Sequence, residues 1–239
     1  MAKKDSLKQQ KFMSFMFRGK EIFKPLNTGH IDERVSCIRE YVANIYFYSK
    51  DGYTIMIDAG YNYDRLAEKM RWLDIRPESI KEIIITHQDT DHVGAIEVDS
   101  QRLFKTAKIY VGRVENEYLE GRVRRKVYWG LYKLPQVHIE NDKTLIEDGE
   151  IFYIHGIKIE SFLVPGHTWG HLVYLIDDAY LFTGDTIWFG ADGGYAFLNT
   201  LAEDRKLQSV SLKRLEEKLR KRNLSLKIIT GHTGWTDDF

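Results

Sequence analysis

Apolar and polar positions along this chain fall into two periods, and the elements follow from them. Tyr41 to Tyr48 is rich in strand formers and ends at the turn signal Lys50-Asp51-Gly52. Tyr53 to Ile57 reads as a second strand, closing at Asp58-Ala59-Gly60. Arg65 to Leu73 carries Leu66, Met70 and Leu73 at helical spacing. Ile83-Ile84-Ile85 is continuously apolar, the mark of a short buried strand, and Lys108 to Val111 is another. Residues 151 to 164 predict a hairpin around His155-Gly156. Leu172 to Ile176 and Tyr180 to Phe182 continue it across a turn at Asp177-Asp178. A long helix is predicted over 203 to 222, with Leu207, Leu212, Leu215 and Leu219 on one face, and Leu226 to Ile229 is a last strand.

Residues 113 to 136 fit neither period. Arg122, Arg124, Arg125 and Lys126 lie beside Tyr128, Trp129 and Tyr132. The simplest expectation is a solvated helix face with an aromatic packing edge. The functional alternative is a lid or wall that attracts an anionic group.

Four apolar runs end alike. Ile83-Ile84-Ile85-Thr86 leads to His87, and Phe162-Leu163-Val164-Pro165-Gly166 leads to His167. Leu181-Phe182-Thr183-Gly184 leads to Asp185, and Ile228-Ile229-Thr230-Gly231 leads to His232. Strand ends gathered along one sheet edge would bring these residues together. The densest segment is Thr86-His87-Gln88-Asp89-Thr90-Asp91-His92, with two imidazoles and two carboxylates suited to zinc, iron or manganese. Read as an extended chain, His87, Asp89 and Asp91 share a face, and His92 needs a turn to reach a neighbouring site. That pattern predicts two metals.

Composition narrows the function classes. The 239 residues carry 35 Lys+Arg against 35 Asp+Glu, a balance that argues against nucleic acid as the partner. The length suits one large domain, read as 1–239 with residues 1–20 frayed. Lys3, Lys4, Lys8 and Lys11 precede the apolar Phe12 to Phe17 without a signal-peptide pattern, and no apolar run reaches the roughly 18 residues of a membrane span. The one cysteine, Cys37, reads as a small buried residue and fits a reducing compartment. The expectation is a cytoplasmic protein with no membrane partner.

The motifs at His87–His92, Gly166-His167-Thr168-Trp169-Gly170-His171, Thr183-Gly184-Asp185 and Gly231-His232 resemble the metallo-β-lactamase fold superfamily in order and spacing. Ile57-Asp58-Ala59-Gly60 resembles its first motif, so the likeness covers about residues 41 to 235. The resemblance implies an α+β fold, an αββα sandwich of two mixed sheets packed face to face with helices outside. It implies a homodimer only as a common state of the fold. Carried over by position, His87, Asp89 and His167 would hold a first metal. Asp91, His92 and His232 would hold a second, and Asp185 would bridge. Asp58 would orient a ligand histidine, and His171 would touch substrate or support a ligand.

Asp89 departs from the family pattern, which has histidine there. Asp89, Asp91 and Asp185 supply three negative charges where the pattern has two. An added oxygen ligand favours iron or manganese relative to zinc. The flavodiiron branch has glutamate at this position, but this chain shows no flavodoxin-like extension. A shorter carboxylate could also reach a metal only through water.

The reading that follows is a hydrolase using a hydroxide activated by two divalent ions (zinc, iron or manganese). It would cleave an ester, thioester, lactone, amide or phosphoester in a small molecule, with Asp91 moving a proton to the leaving group. Trp188 and Phe189 follow Asp185 where lactonases of the superfamily place a tyrosine, and Tyr195 could substitute. Trp169, Trp188, Phe189, Tyr195 and Trp235 would form an apolar rim. The alternatives are a diiron centre reducing oxygen or nitric oxide with a separate electron donor, and a metal-containing binding or sensor protein.

Overall fold

The computed structural model describes residues 23–98, 104–189 and 201–237. The expectations for residues 1–20 and for Tyr195 lie outside this set. The first sheet contains β1 (Gly29–His30), β2 (Val35–Glu40), β3 (Ala43–Lys50), β4 (Tyr53–Ile57), β5 (Glu82–Ile85) and β6 (Lys108–Gly112). A hairpin of β7 (Lys126–Val127) and β8 (Tyr132–Lys133) stands apart, and β9 (Lys143–Ile146) completes the sheet. Its seven strands run in the order β1-β2-β3-β4-β5-β6-β9. Pairing is antiparallel up to β4 and parallel from there on.

The second sheet runs β10 (Ile151–Ile154), β11 (Ile157–Leu163), β12 (Leu172–Ile176), β13 (Tyr180–Phe182), β14 (Lys227–Ile229) and β15 (Trp235–Thr236) in that spatial order. Only β13–β14 is parallel, because a helix intervenes there. The helices are α1 (Tyr63–Trp72), α2 (Thr90–Val93), α3 (Arg113–Leu119) and α4 (Arg205–Arg220). Asn62 caps α1 by accepting from Arg65 N–H at 3.1 Å, and Asp204 caps α4 through Leu207 N–H at 2.9 Å.

Alternation sorts the apolar residues into three layers. Ile84, Ile55, Ile57 and Tyr46 of the first sheet meet Tyr174, Ile176, Phe182 and Ile229 of the second. Ile83 and Ile85 point the other way, onto Leu66 and Met70 of α1. Val173, Leu175 and Leu181 turn outward against Leu215 and Leu219 of α4. This is the expected αββα sandwich: two mixed sheets face to face with helices outside. The continuous run Ile83-Ile84-Ile85 is apolar because β5 is covered on both faces. Among the described helices, none is long and apolar enough to cross a membrane.

One expectation fails. Residues 122–126 are not a helix face: α3 ends at Leu119, and the chain continues through turns into the β7–β8 hairpin. Nor does the segment form an aromatic packing edge, since Trp129 and Tyr132 are exposed.

Candidate metal centre

The candidate ligands gather at one edge of the sandwich because five segments end there. His87 and Asp89 follow β5, Asp91 and His92 lie in α2, His167 precedes β12, Asp185 follows β13 and His232 follows β14. Backbone bonds tie these segments together. Leu172 N–H donates to Thr86 O at 3.0 Å, Gly231 N–H to Gly184 O at 2.8 Å, and Ala59 N–H to His92 O at 2.6 Å.

Two groups of ligand atoms converge: His87, His167 and Asp185, and Asp91, His92 and His232. Within the first, His87 Nε2 is 3.1 Å from His167 Nε2, and Asp185 Oδ2 lies 3.7 and 3.5 Å from them. Within the second, His232 Nε2 is 3.3 Å from Asp91 Oδ2, and His92 Nε2 is 3.7 Å from it. Asp185 reaches this group too, its Oδ1 3.2 Å from His92 Nε2 and its Oδ2 3.1 Å from His232 Nε2. Ligands around one tetrahedral zinc at about 2.0–2.1 Å lie about 3.3 Å apart, so these spacings fit an ion in each group with Asp185 between them. A second observation agrees. His92 Nε2 and Asp185 Oδ1 are buried, 3.2 Å apart, and make no aligned hydrogen bond. Buried polar atoms without partners are costly unless something else satisfies them.

Asp91 corrects the extended-chain reading. The strand has ended before Asp91, which sits in the turn of α2, so it joins His92 and His232 and not His87.

The surroundings fix how the imidazoles point. Asp58 accepts from Thr86 N–H at 2.9 Å, from Thr86 Oγ1 at 2.9 Å and from His92 Nδ1 at 2.8 Å. In its neutral form His92 therefore carries its proton on Nδ1 and presents a lone pair at Nε2. His232 Nδ1 is likewise 2.7 Å from Val42 O. His171 is fully buried, accepts from Asp185 N–H at 3.1 Å, and stacks on His87 at 4.7 Å. It supports the centre from behind. Gly184 has φ +50°, and a Cβ there would lie 2.7 Å from His171 Nε2. A Cβ on Gly231 would lie 2.6 Å from Asp185 Oδ1. The glycines before these ligands are needed for close approach.

Asp89 is the point the sequence left open. Its Oδ2 lies 3.7 Å from His87 Nε2 and 3.1 Å from His167 Nε2, yet both carboxylate oxygens are held by an arginine. Arg125 Nε donates to Oδ1 at 2.9 Å and Nη2 to Oδ2 at 3.2 Å. Arg125 is only 2% exposed. Burial alone would raise the Asp89 carboxyl, but the Arg125 charge and the nearby histidines hold it well below the carboxylate range. Burial and then the same guanidinium lower His167 to about 3, keeping the imidazole neutral. The expected excess of negative charge is thus offset. Three carboxylates face one buried cation, and the charge argument for iron or manganese over zinc loses its basis. Arg125 was inseparable from Arg122 and Arg124 by spacing. Val127, buried two positions on, was the available hint that the segment is extended with alternate residues inward.

A family model described as metallo-beta-lactamase superfamily matches residues 38–232. The chain belongs to this superfamily. One relative of the chain is the probable polyketide biosynthesis zinc-dependent hydrolase BaeB of Bacillus velezensis, 30% identical over 63% of the chain and 56% of that protein. Another is the hydroxyacylglutathione hydrolase GloC of Haemophilus influenzae, 27% identical over 76% of the chain and 80% of that protein. The chain spans 42% of hydroxyacylglutathione hydrolases from Pseudomonas putida, so several curated relatives are much longer than the matched part. Among solved structures, a beta-lactamase from Chitinophaga pinensis superposes with TM-score 0.66 at 20% identity, covering 89% of this chain and 80% of that one. A B3 metallo-beta-lactamase with an active-site glutamic acid gives 0.64 at 18%, covering 92% and 86%. At these identities the structures establish the metallo-β-lactamase fold.

Within that fold, the remaining candidates separate. Trp188 is buried, its ring 5.3 Å from His232 and 5.1 Å from Phe23, so it packs behind a ligand. Trp169 and Trp235 are partly exposed, and Trp235 lies under Lys227 at 4.1 Å. Two buried groups escaped sequence reasoning. Burial and the charges of Asp91, Glu40 and Asp89 push the Tyr61 phenol well above its ordinary value. Glu115 accepts from Gln88 N–H at 2.9 Å and Thr168 Oγ1 at 2.8 Å, and burial lifts it from 4.5 to about 7.

Because the Glu115 pKa is higher folded than unfolded, the folded state binds this proton more tightly. The stabilisation is full below about 4.5 and declines as pH rises toward 7. Urea unfolding of the metal-free wild type and of Glu115→Gln at about pH 5 and about pH 8 should show this decline as the difference between the two. Glu115→Gln should reduce the decline by up to about 3 kcal/mol. An identical pH dependence in the variant would rule the assignment out.

Proposed function

We propose that the chain is a metal-dependent hydrolase acting on an ester, thioester, lactone or phosphoester bond in a small molecule. The observation that carries this reading is the pair of ligand groups sharing Asp185. Divalent ions bound there would supply a hydroxide nucleophile near neutral pH and a Lewis acid for the attacked oxygen. His87, His167 and Asp185 would hold the first ion and Asp91, His92, His232 and Asp185 the second. Asp58 and the Val42 carbonyl keep His92 and His232 in the tautomer that presents Nε2. The Asp91 side chain, 17% exposed, is the member of its group that reaches solvent, which supports the role of passing a proton to a leaving group.

The relatives support this class by name, one as a zinc-dependent hydrolase and others as hydroxyacylglutathione hydrolases. The Arg125–Asp89 pair weighs against a diiron redox centre, since it offsets the extra carboxylate that motivated one. The test is a panel of esters, hydroxyacyl thioesters, lactones and phosphodiesters, run beside oxygen consumption with an added reductant. Turnover of one hydrolytic class without oxygen uptake is expected. Oxygen uptake with visible iron absorption and no hydrolysis would favour the redox protein. Tight metabolite binding without turnover would favour a sensor.

A further inference from the structure

Arg125 has no part in the proposed hydrolysis, yet its guanidinium lies against the first ligand group. Nη2 is 3.3 Å from His167 Nε2, the atom that would face a metal. The same guanidinium grips both oxygens of Asp89. It cannot swing away freely. Nη1 donates to Lys126 O at 3.1 Å and Nη2 to Leu201 O at 2.5 Å, so two main-chain segments anchor it. Nor can it lose its charge, because arginine stays protonated and this one is paired with a buried carboxylate.

Among the described residues, the second ligand group has no such neighbour. The contacts of His92 and His232 are with Asp58, Asp91, Asp185, a backbone carbonyl and aromatic rings. Counting the charged groups within 4 Å of the ligand Nε2 atoms, Arg125 cancels Asp89 in the first group and leaves the shared Asp185. The second group keeps both Asp91 and Asp185.

We infer that Arg125 makes the two metal positions unequal: a divalent ion fills the Asp91, His92, His232 and Asp185 position first, and the His87, His167 and Asp185 position holds a second ion weakly. This rests on the reading that both groups bind metal. Arg125 is a positioning residue here, acting on the metal through His167 and Asp89.

The test is a zinc titration of metal-free protein, read by calorimetry and by metal content after equilibrium dialysis. Wild type should take one equivalent tightly and a second at least about 30-fold more weakly, the scale of a close repulsive charge in a buried site. His87→Ala should keep the tight equivalent, and His232→Ala should lose it. Arg125→Met, which keeps the side-chain bulk without charge, should tighten the second equivalent about tenfold or more. Arg125→Lys, which keeps the charge, should stay close to wild type. Two equal tight equivalents in wild type would overturn the inference. So would loss of the tight equivalent in His87→Ala, or an unmoved second equivalent in folded Arg125→Met. If circular dichroism shows Arg125→Met unfolded, the wild-type, His87→Ala and His232→Ala titrations decide it alone. The metal reading itself fails separately, if wild type binds no zinc or Asp185→Asn binds as much as wild type.

Discussion

Asp185→Ala should strip metal from both ligand groups and lower hydrolytic turnover by at least about a thousandfold, because the nucleophile and the Lewis acid go together. Among the described residues, Asp185 is the carboxylate that lies within 3.7 Å of all four ligand imidazoles: His87, His92, His167 and His232. No neighbouring carboxylate can take over. Asp89 is held by Arg125, and Asp91 touches only the second group. The fold should survive, since the Asp185 main chain stays tied to Gln208 and His171. Metal content and turnover of the purified variant, set beside its circular dichroism, check this. Retained metal and turnover would contradict the assignment.

Asp58→Ala should cost about 3 kcal/mol of stability and about 10- to 100-fold in metal affinity. Three donors converge on this carboxylate: Thr86 N–H, the Thr86 hydroxyl and His92 Nδ1. All are buried, and water cannot easily replace the lost acceptor. His92 would lose the partner that fixes its tautomer, and Thr86 the one that holds the end of β5 against β4. Denaturant unfolding of the metal-free variant reads the first effect, and a zinc titration reads the second. A variant with wild-type stability would show that Asp58 only closes a turn.

Much of this was legible in the sequence. The strand runs before His87, His167, Asp185 and His232 have the period that two-sided burial requires, and the glycines before Asp185 and His232 sit where a Cβ would strike a ligand or its support. Asp58 was readable through the resemblance of Ile57-Asp58-Ala59-Gly60 to the family's first motif. Arg125 was not. Its role depends on the β7–β8 hairpin folding back over the centre, a long-range placement that leaves no periodic trace among four neighbouring basic residues. Extended geometry put Asp91 on the face of His87 because a one-turn helix begins at Thr90, whereas the motif resemblance grouped it with His92 and His232, as the structure does. Glu115 sits in a short helix that buries Glu115 and Asn116 beside Tyr118 and Leu119, and hydrophobic periodicity does not detect buried polar positions.

The most direct test of the central claim is to follow hydrolysis while zinc is returned to metal-free protein. Turnover of the best substrate in the panel should be absent without metal, appear as zinc binds, vanish with chelator and return on re-addition. Equal turnover in metal-free and zinc-loaded protein would contradict the account.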